Sequence, residues 1–213
     1  MVGGSEYVSC LALAKATLRT AKLNGCCVVE CGTWKGGMSA GLIETCGRNR
    51  DYFFFDSFEG LPAVTVEDGE AAHQWQTNTT GEHYFDNCTA SLAEFLSVVR
   101  MTRLAPERLH VYKGQFDSTL PHVKMPSIGI LRIDADWYSS TMVCLEQLWD
   151  QVASGGIIVI DDYFAWEGCR KALHRFLGSR LCVEAIQQTS FAKVAFIKKG
   201  QSPNSYSPTS FKS

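Results

Sequence analysis

The stretches LRIDADWYSST and GGIIVIDDY constrain this chain more than any other part of it. Each opens as an apolar strand, Ile128 to Ile133 and Ile157 to Ile160, and runs directly into acids: Asp134 and Asp136 in the first, Asp161 and Asp162 in the second. Runs without polar alternation are typical of strands buried on both faces, as in parallel sheets covered by helices. In such sheets ligands bind just outside the carboxyl ends of the strands. Four carboxylates are therefore expected at one end of a sheet, where they repel one another unless something positive sits among them. A hard cation such as Mg2+ or Ca2+, which prefers oxygen ligands, meets that need. Helix capping offers a plainer account, but it uses one acid per junction and each junction here carries two.

A chain of 213 residues suits one well-cored domain, expected over residues 1–199. The formal net charge is -2 with Lys and Arg scattered, which argues against a nucleic-acid partner. Nine cysteines without a CxxC pair, several of them (Cys27, Cys31, Cys144, Cys182) inside apolar runs, read as reduced thiols and not as a zinc site or disulfide framework. No run approaches the ~20 apolar residues of a membrane span, and the first residues lack a basic and apolar leader pattern. The expectation is a cytoplasmic protein without a membrane partner.

Along the chain, strand and helix alternate without an internal repeat. Residues 6–23 carry apolar positions at helical spacing and close on Asn24-Gly25. CCVVEC is the first strand, followed by the turn TWKGG and a helix, MSAGLIETC, stopped by Gly47. DYFFFD is the second strand and LHVYKG, residues 109–114, the third. The two acid-ended strands flank a helix over SSTMVCLEQLWDQVA, and a last helix, EGCRKALHRFLGS, leads to a hairpin of LCVEAI and AKVAFIKK joined by QQTSF. Helical crossovers between strands mean a right-handed, mainly parallel sheet, to which the hairpin adds an antiparallel strand. Residues 61–87 fit no period and are expected to form a lid or substrate wall. The Ser- and Pro-rich tail over residues 200–213 is expected to be disordered.

The first junction, VVECGTWKGGMS, points to the ligand. Gly32, Gly36 and Gly37 let backbone approach a bound molecule, and Glu30 stands beside them. A dinucleotide fold wants GxGxxG framing a pyrophosphate, whereas the spacing here is G-x-x-x-G-G beside an acid. A Walker-type loop also fails, because Lys35 precedes the glycines. Glu30 would repel a pyrophosphate and accept a hydrogen bond from an ammonium group, so a cationic, phosphate-free nucleoside fits better. Asp56, at the end of the second strand, occupies the usual position of a ribose-hydroxyl acceptor. Phe58 beside it suits either a base or the core. Gln115 and Phe116 after the third strand suit an adenine edge and face, or else a turn with Asp117 or Ser118 as helix cap.

Taken in order, ECGTWKGGMS, FDSFEGLP, YKGQFDSTLP, LRIDADWYSST and GGIIVIDDY resemble the motifs of the metal-dependent macrocin O-methyltransferase family, the TylF/MycF type, over about residues 26–199. The resemblance implies a Rossmann-like class I methyltransferase: an α/β fold with a mostly parallel seven-stranded sheet, a C-terminal antiparallel hairpin and helices on both faces. It implies contacts to S-adenosylmethionine from Glu30, Gly32, Thr33, Gly36 and Ser39 at the first junction. Asp56, Ser57, Phe58, Gln115, Phe116 and Asp134 would complete that set, with Glu30 and Gly32 at the methionine moiety and Asp56 at the ribose. Asp136, Asp161 and Asp162 would hold Mg2+, and Asp136 and Asp134 would be the catalytic carboxylates. Asp136 is preferred to Asp134 as the ligand because it lies further past the strand end. Only 29 residues precede Glu30, a shorter N-terminal segment than the resemblance implies, so it carries the chemistry further than it carries a macrolide acceptor.

The expected reaction is methylation of a small-molecule hydroxyl on a sugar or natural product. An aliphatic hydroxyl is a poor nucleophile at neutral pH, so a metal held by carboxylates would lower its pKa while a neighbouring aspartate takes the proton. His73 and His83 in the expected lid are weaker candidates for that base, and His110, His122 and His174 read as structural. Two other classes compete. A nicotinamide-dependent oxidoreductase lacks its GxGxxG here, and a non-catalytic cofactor-binding module has no need of four acids. The sequence leaves room for a homo-oligomer.

Overall fold

The computed structural model describes residues 3–82 and 84–200. Its strands form one seven-stranded sheet in the order β3-β2-β1-β4-β5-β7-β6. The chain opens with α1 (Gly4–Leu18), β1 (Cys27–Cys31), α2 (Gly37–Cys46) and β2 (Tyr52–Asp56). It continues through α3 (Glu70–Thr77), α4 (Leu92–Arg100), β3 (Leu109–Lys113), the single turn α5 (Phe116–Thr119) and β4 (Ile128–Ile133). It closes with α6 (Tyr138–Leu148), β5 (Val152–Ile160), α7 (Glu167–Ser179), β6 (Ile186–Gln188) and β7 (Ala195–Lys198). β1 to β5 run parallel, whereas β7 is antiparallel to both β5 and β6.

The apolar runs of the strands make sense because both faces are covered. Val28, Tyr52, Phe54 and Ile130 pack under α1, α2 and α4, while Val29, Cys31, Phe53, Phe55 and Leu131 pack under α6 and α7. The order reverses between β1 and β4, where chain connections leave to opposite sides and open a crevice at the carboxyl ends. All nine cysteines are free thiols. Among the described residues, no helix is long and apolar enough to cross a membrane.

Several elements differ from the pattern reading. The first helix stops at Leu18, and a separate 3-10 turn, Ala21–Leu23, buries Leu23 completely. The helix over SSTMVCLEQLWDQVA yields at Val152, which pairs with Ile128 and so extends β5 backwards. The first hairpin strand is confined to Ile186–Gln188, so part of the expected connector is strand. α4 is an element the pattern reading passed over, although Ser91 and Glu94 form a capping box at its start, each side chain accepting the other's backbone N–H.

The described residues of 61–88 include a 3-10 turn (Val66–Asp68), α3 and a turn in which Asp86, Asn87 and Cys88 all have positive φ. The segment is also fastened to the body. Trp137 Nε1 donates to Pro62 O at 3.0 Å, Tyr138 N to Asp68 Oδ1 at 2.6 Å, and Lys171 Nζ to Glu67 O at 3.2 Å. Asp68, fully buried, thereby caps α6, whose own Trp137 has no capping side chain. The tail residues 201–213 and His83 lie outside the described residues.

Candidate active site

The crevice is a cavity of about 1030 Å³ that runs across the carboxyl ends of the parallel strands. Gly32, Thr33, Asp56, Ser57, Gln115 and Phe116 line one part of it, and Asp134, Asp136, Asp161 and Asp162 another. Gly32 sits at the seam between β1 and β4 with φ +84, and a Cβ there would lie 1.7 Å from the carbonyl oxygen of Asp134. Only glycine permits this approach. Glu30, Gly36, Ser39 and Phe58 stand behind the cavity wall: Phe58 is in the core against Phe95, and Gly36 also faces that ring.

Glu30 is fully buried and turned inward. It accepts hydrogen bonds from Ser39 Oγ and, at 2.8 Å, from Arg132 Nη1, its partner across the parallel ladder. Burial pushes its carboxyl up to about 7, against the pull of Arg132. Asp56 faces the cavity but is already engaged. Its Oδ2 accepts from Thr33 N at 2.7 Å, Trp34 N at 2.9 Å and Thr33 Oγ1 at 3.3 Å, and its Oδ1 from Phe58 N at 2.7 Å. The carboxylate thus ties the first junction to the second.

At the other end, Asp134, Asp136 and Asp162 each offer an oxygen such that all three lie within 4.8 Å of one another. Arg132, 1% exposed, reaches them from β4: Nη1 pairs with Asp134 Oδ2 at 2.8 Å and Nη2 with Asp161 Oδ1 at 2.7 Å. Asp161 is paired with the arginine and is not one of the three carboxylates that lie close together. Asp136 has a left-handed backbone, φ +54, and its N–H donates to Asp162 Oδ2 at 3.0 Å. Burial, and then the charge of Asp134, push its carboxyl up to about 7. Asp162 is raised well above the usual range by burial and by Asp136 and Asp134. Asp161 is raised by burial, with Arg132 opposing. Burial works against the charge of Arg132, but Asp134, Asp161 and Glu30 together outweigh it and raise its pKa.

Aromatic rings close the acidic end. Trp75, Phe85, Phe164 and Trp166 line the cavity there. His73 bonds Thr65 O at 3.2 Å and does not line it. Sequence reasoning did not single out Arg132, Trp137 or Trp166; a charged residue inside an otherwise apolar strand was the one available signal.

A family model described as Macrocin-O-methyltransferase (TylF) matches residues 1–198. The chain belongs to this family. Within it, the chain is 32% identical over 159 residues to the 8-demethyl-8-(2,3-dimethoxy-alpha-L-rhamnosyl)-tetracenomycin-C 4'-O-methyltransferase of Streptomyces olivaceus, covering 71% of this chain and 58% of that protein. It is 31% identical over 154 residues to the demethyldecarbamoylnovobiocin O-methyltransferase of Streptomyces niveus, covering 70% and 57%. The match thus spans less than three fifths of either relative's length. Among solved structures, the O-methyltransferase NovP aligns with a TM-score of 0.74 at 24% identity over 91% of this chain and 81% of that one. The calicheamicin methyltransferase CalS11 aligns with a TM-score of 0.67 at 18% identity over 90% and 79%. These likenesses establish the class I methyltransferase fold for this macrocin O-methyltransferase family member.

Proposed function

We propose that this chain is an S-adenosylmethionine- and Mg2+-dependent O-methyltransferase acting on a hydroxyl of a small natural product, with a sugar hydroxyl as the first candidate. The observation that carries the reading is the continuity of one cavity from the Gly32 and Asp56 junctions to the acidic corner. Support for the acceptor class comes from the relatives, whose names specify natural-product substrates.

Both absent groups suit the residues present. Gly32 keeps the cavity floor free of a side chain, Thr33, Ser57 and Gln115 offer polar contacts to a nucleoside, and Phe116 offers an apolar face. Asp56 would act mainly by holding the turn that carries Thr33, and Glu30 by anchoring Arg132 and Ser39 behind the wall. At the acidic end, three mutually close carboxylates, with Asp136 and Asp162 raised above their usual range, suit a hard cation. Asp134 and Asp162 would hold Mg2+ beside Asp136, and Asp161 would join them by turning its carboxylate from Arg132.

The cofactor supplies an activated methyl, and the metal supplies Lewis acidity that lowers the pKa of the acceptor hydroxyl. Asp136 takes the proton. It stands beside the proposed ligands Asp134 and Asp162, and one of its oxygens is already held by Trp166. Trp75, Phe85 and Trp166 form the wall that orients the acceptor and excludes water from it.

The test is methyl transfer from S-adenosylmethionine to a panel of glycosylated natural products, catechols and flavonoids, with Mg2+ or with EDTA. Turnover on a sugar hydroxyl that EDTA abolishes is expected. Full activity in EDTA would remove the metal from the mechanism.

A further inference from the structure

Asp136 begins the turn into α6, yet its carboxylate is fixed from a different element. Trp166, just before α7, donates its indole N–H to Asp136 Oδ1 at 2.9 Å. The indole is itself clamped. Its ring meets Trp137 edge-to-face at a centroid distance of 5.1 Å and Trp75 at 6.0 Å, and its backbone N–H is bonded to Asp162 O at 2.9 Å. Trp137 is fully buried and tied through its own indole to Pro62 O. The donor therefore has little freedom to turn away from the carboxylate oxygen it holds.

We infer that Trp166 is a positioning residue for the methyl-transfer reaction: its indole N–H holds the Asp136 carboxylate in the orientation from which that residue accepts the acceptor's proton. This rests on the role given to Asp136 in the proposed function. A preorganised donor of this kind costs nothing to reorient at the moment of reaction. The contact with Trp75 extends the clamp to α3, so the segment over residues 61–77 braces the carboxylate from the cavity's outer side.

Two measurements test the inference. Trp166→Phe keeps an aromatic ring in the wall and removes the donor. It should lower kcat by about 10- to 100-fold, the cost of one hydrogen bond to a charged group. The acceptor KM and the dissociation constant of S-adenosylhomocysteine should stay within about threefold, below the tenfold step of 1.4 kcal/mol. A raised KM with kcat preserved would confine Trp166 to its place in the wall and overturn the inference. Should this variant fold poorly, the 15N indole resonances of otherwise wild-type protein carry the test: Asp136→Asn should move the Trp166 indole signal, identified by site-specific incorporation of 15N-tryptophan at position 166. An unmoved signal means no hydrogen bond and refutes the inference. Absence of any wild-type methyl transfer would instead refute the proposed function, leaving the contact itself to the resonance measurement.

Discussion

At the end of β2 one carboxylate is surrounded by donors, whereas at the ends of β4 and β5 the carboxylates largely surround one another. Asp56 accepts from three backbone N–H groups and a hydroxyl. Of Asp134, Asp136 and Asp162, the first pairs with Arg132, the second accepts from the Trp166 indole and the third from the Asp136 N–H, and the latter two have raised pKa values. An acid of the first kind is already satisfied and shapes the loops around it. Acids of the second kind carry an unmet electrostatic demand in the metal-free protein, which a cation would meet. The same residue type at the same structural position thus ties loops together at one strand end and faces its own kind at the other.

The largest way to test this division is Asp162→Asn. Turnover at saturating cofactor should fall roughly 100- to 1,000-fold, the range for losing one preorganised electrostatic contact at a reacting group. S-adenosylhomocysteine affinity by calorimetry should stay within a few fold. Equal losses in both would erase the division. Asp161→Asn sharpens it, because a ligand role predicts Mg2+ affinity weakened by about 10-fold or more, and a role confined to balancing Arg132 leaves it nearly unchanged.

Asp56→Ala tests the other region. Removing the shared acceptor strands the N–H groups of Thr33, Trp34 and Phe58, so denaturant unfolding should show a loss of about 2–4 kcal/mol. Cofactor affinity should weaken about 10- to 100-fold through the displaced turn. Normal stability with weakened cofactor binding would make Asp56 a ligand contact and not a brace.

The smallest expected effect is the pH dependence of the metal-free protein. The folded pKa of Asp136 lies near 7, above the unfolded value of about 4. Its contribution to stability is therefore full below about pH 4 and is lost as pH rises through about 7. Relative to Asp136→Asn, the wild-type Tm should fall by several degrees across that window, and saturating Mg2+ should remove the difference. A difference that does not vary with pH would show that Asp136 is not held under repulsion.

Much of this was legible in the sequence because the strands that position the site are buried on both faces. Ile128–Ile133 and the end of β5 read as strands from composition alone, and their terminal acids marked the corner. α3 was not legible, since Ala72 is its only fully buried residue and a helix that hides so little leaves no apolar stripe. The capping box of Ser91 and Glu94 is a local signal for α4 in the sequence. Contacts that cross elements were invisible in principle. That Arg132 would serve Glu30, Asp134 and Asp161 at once depends on strand register, and that Trp166 would reach Asp136 depends on how α7 packs on α6.

The Glu30–Arg132 pair has a consequence for how the molecule comes into being. Its members lie 102 residues apart in the chain, on the two central strands of the sheet. The half that ends at β3 carries the turn around Asp56, and the half that begins at β4 carries the acids. Neither half contains the crevice. It comes into existence only when β1 and β4 zip together, a long-range closure whose entropy must be lost before any of its contacts repay it. During synthesis the acids emerge after their arginine, so the buried cation is available to meet each carboxylate as the sheet closes around it.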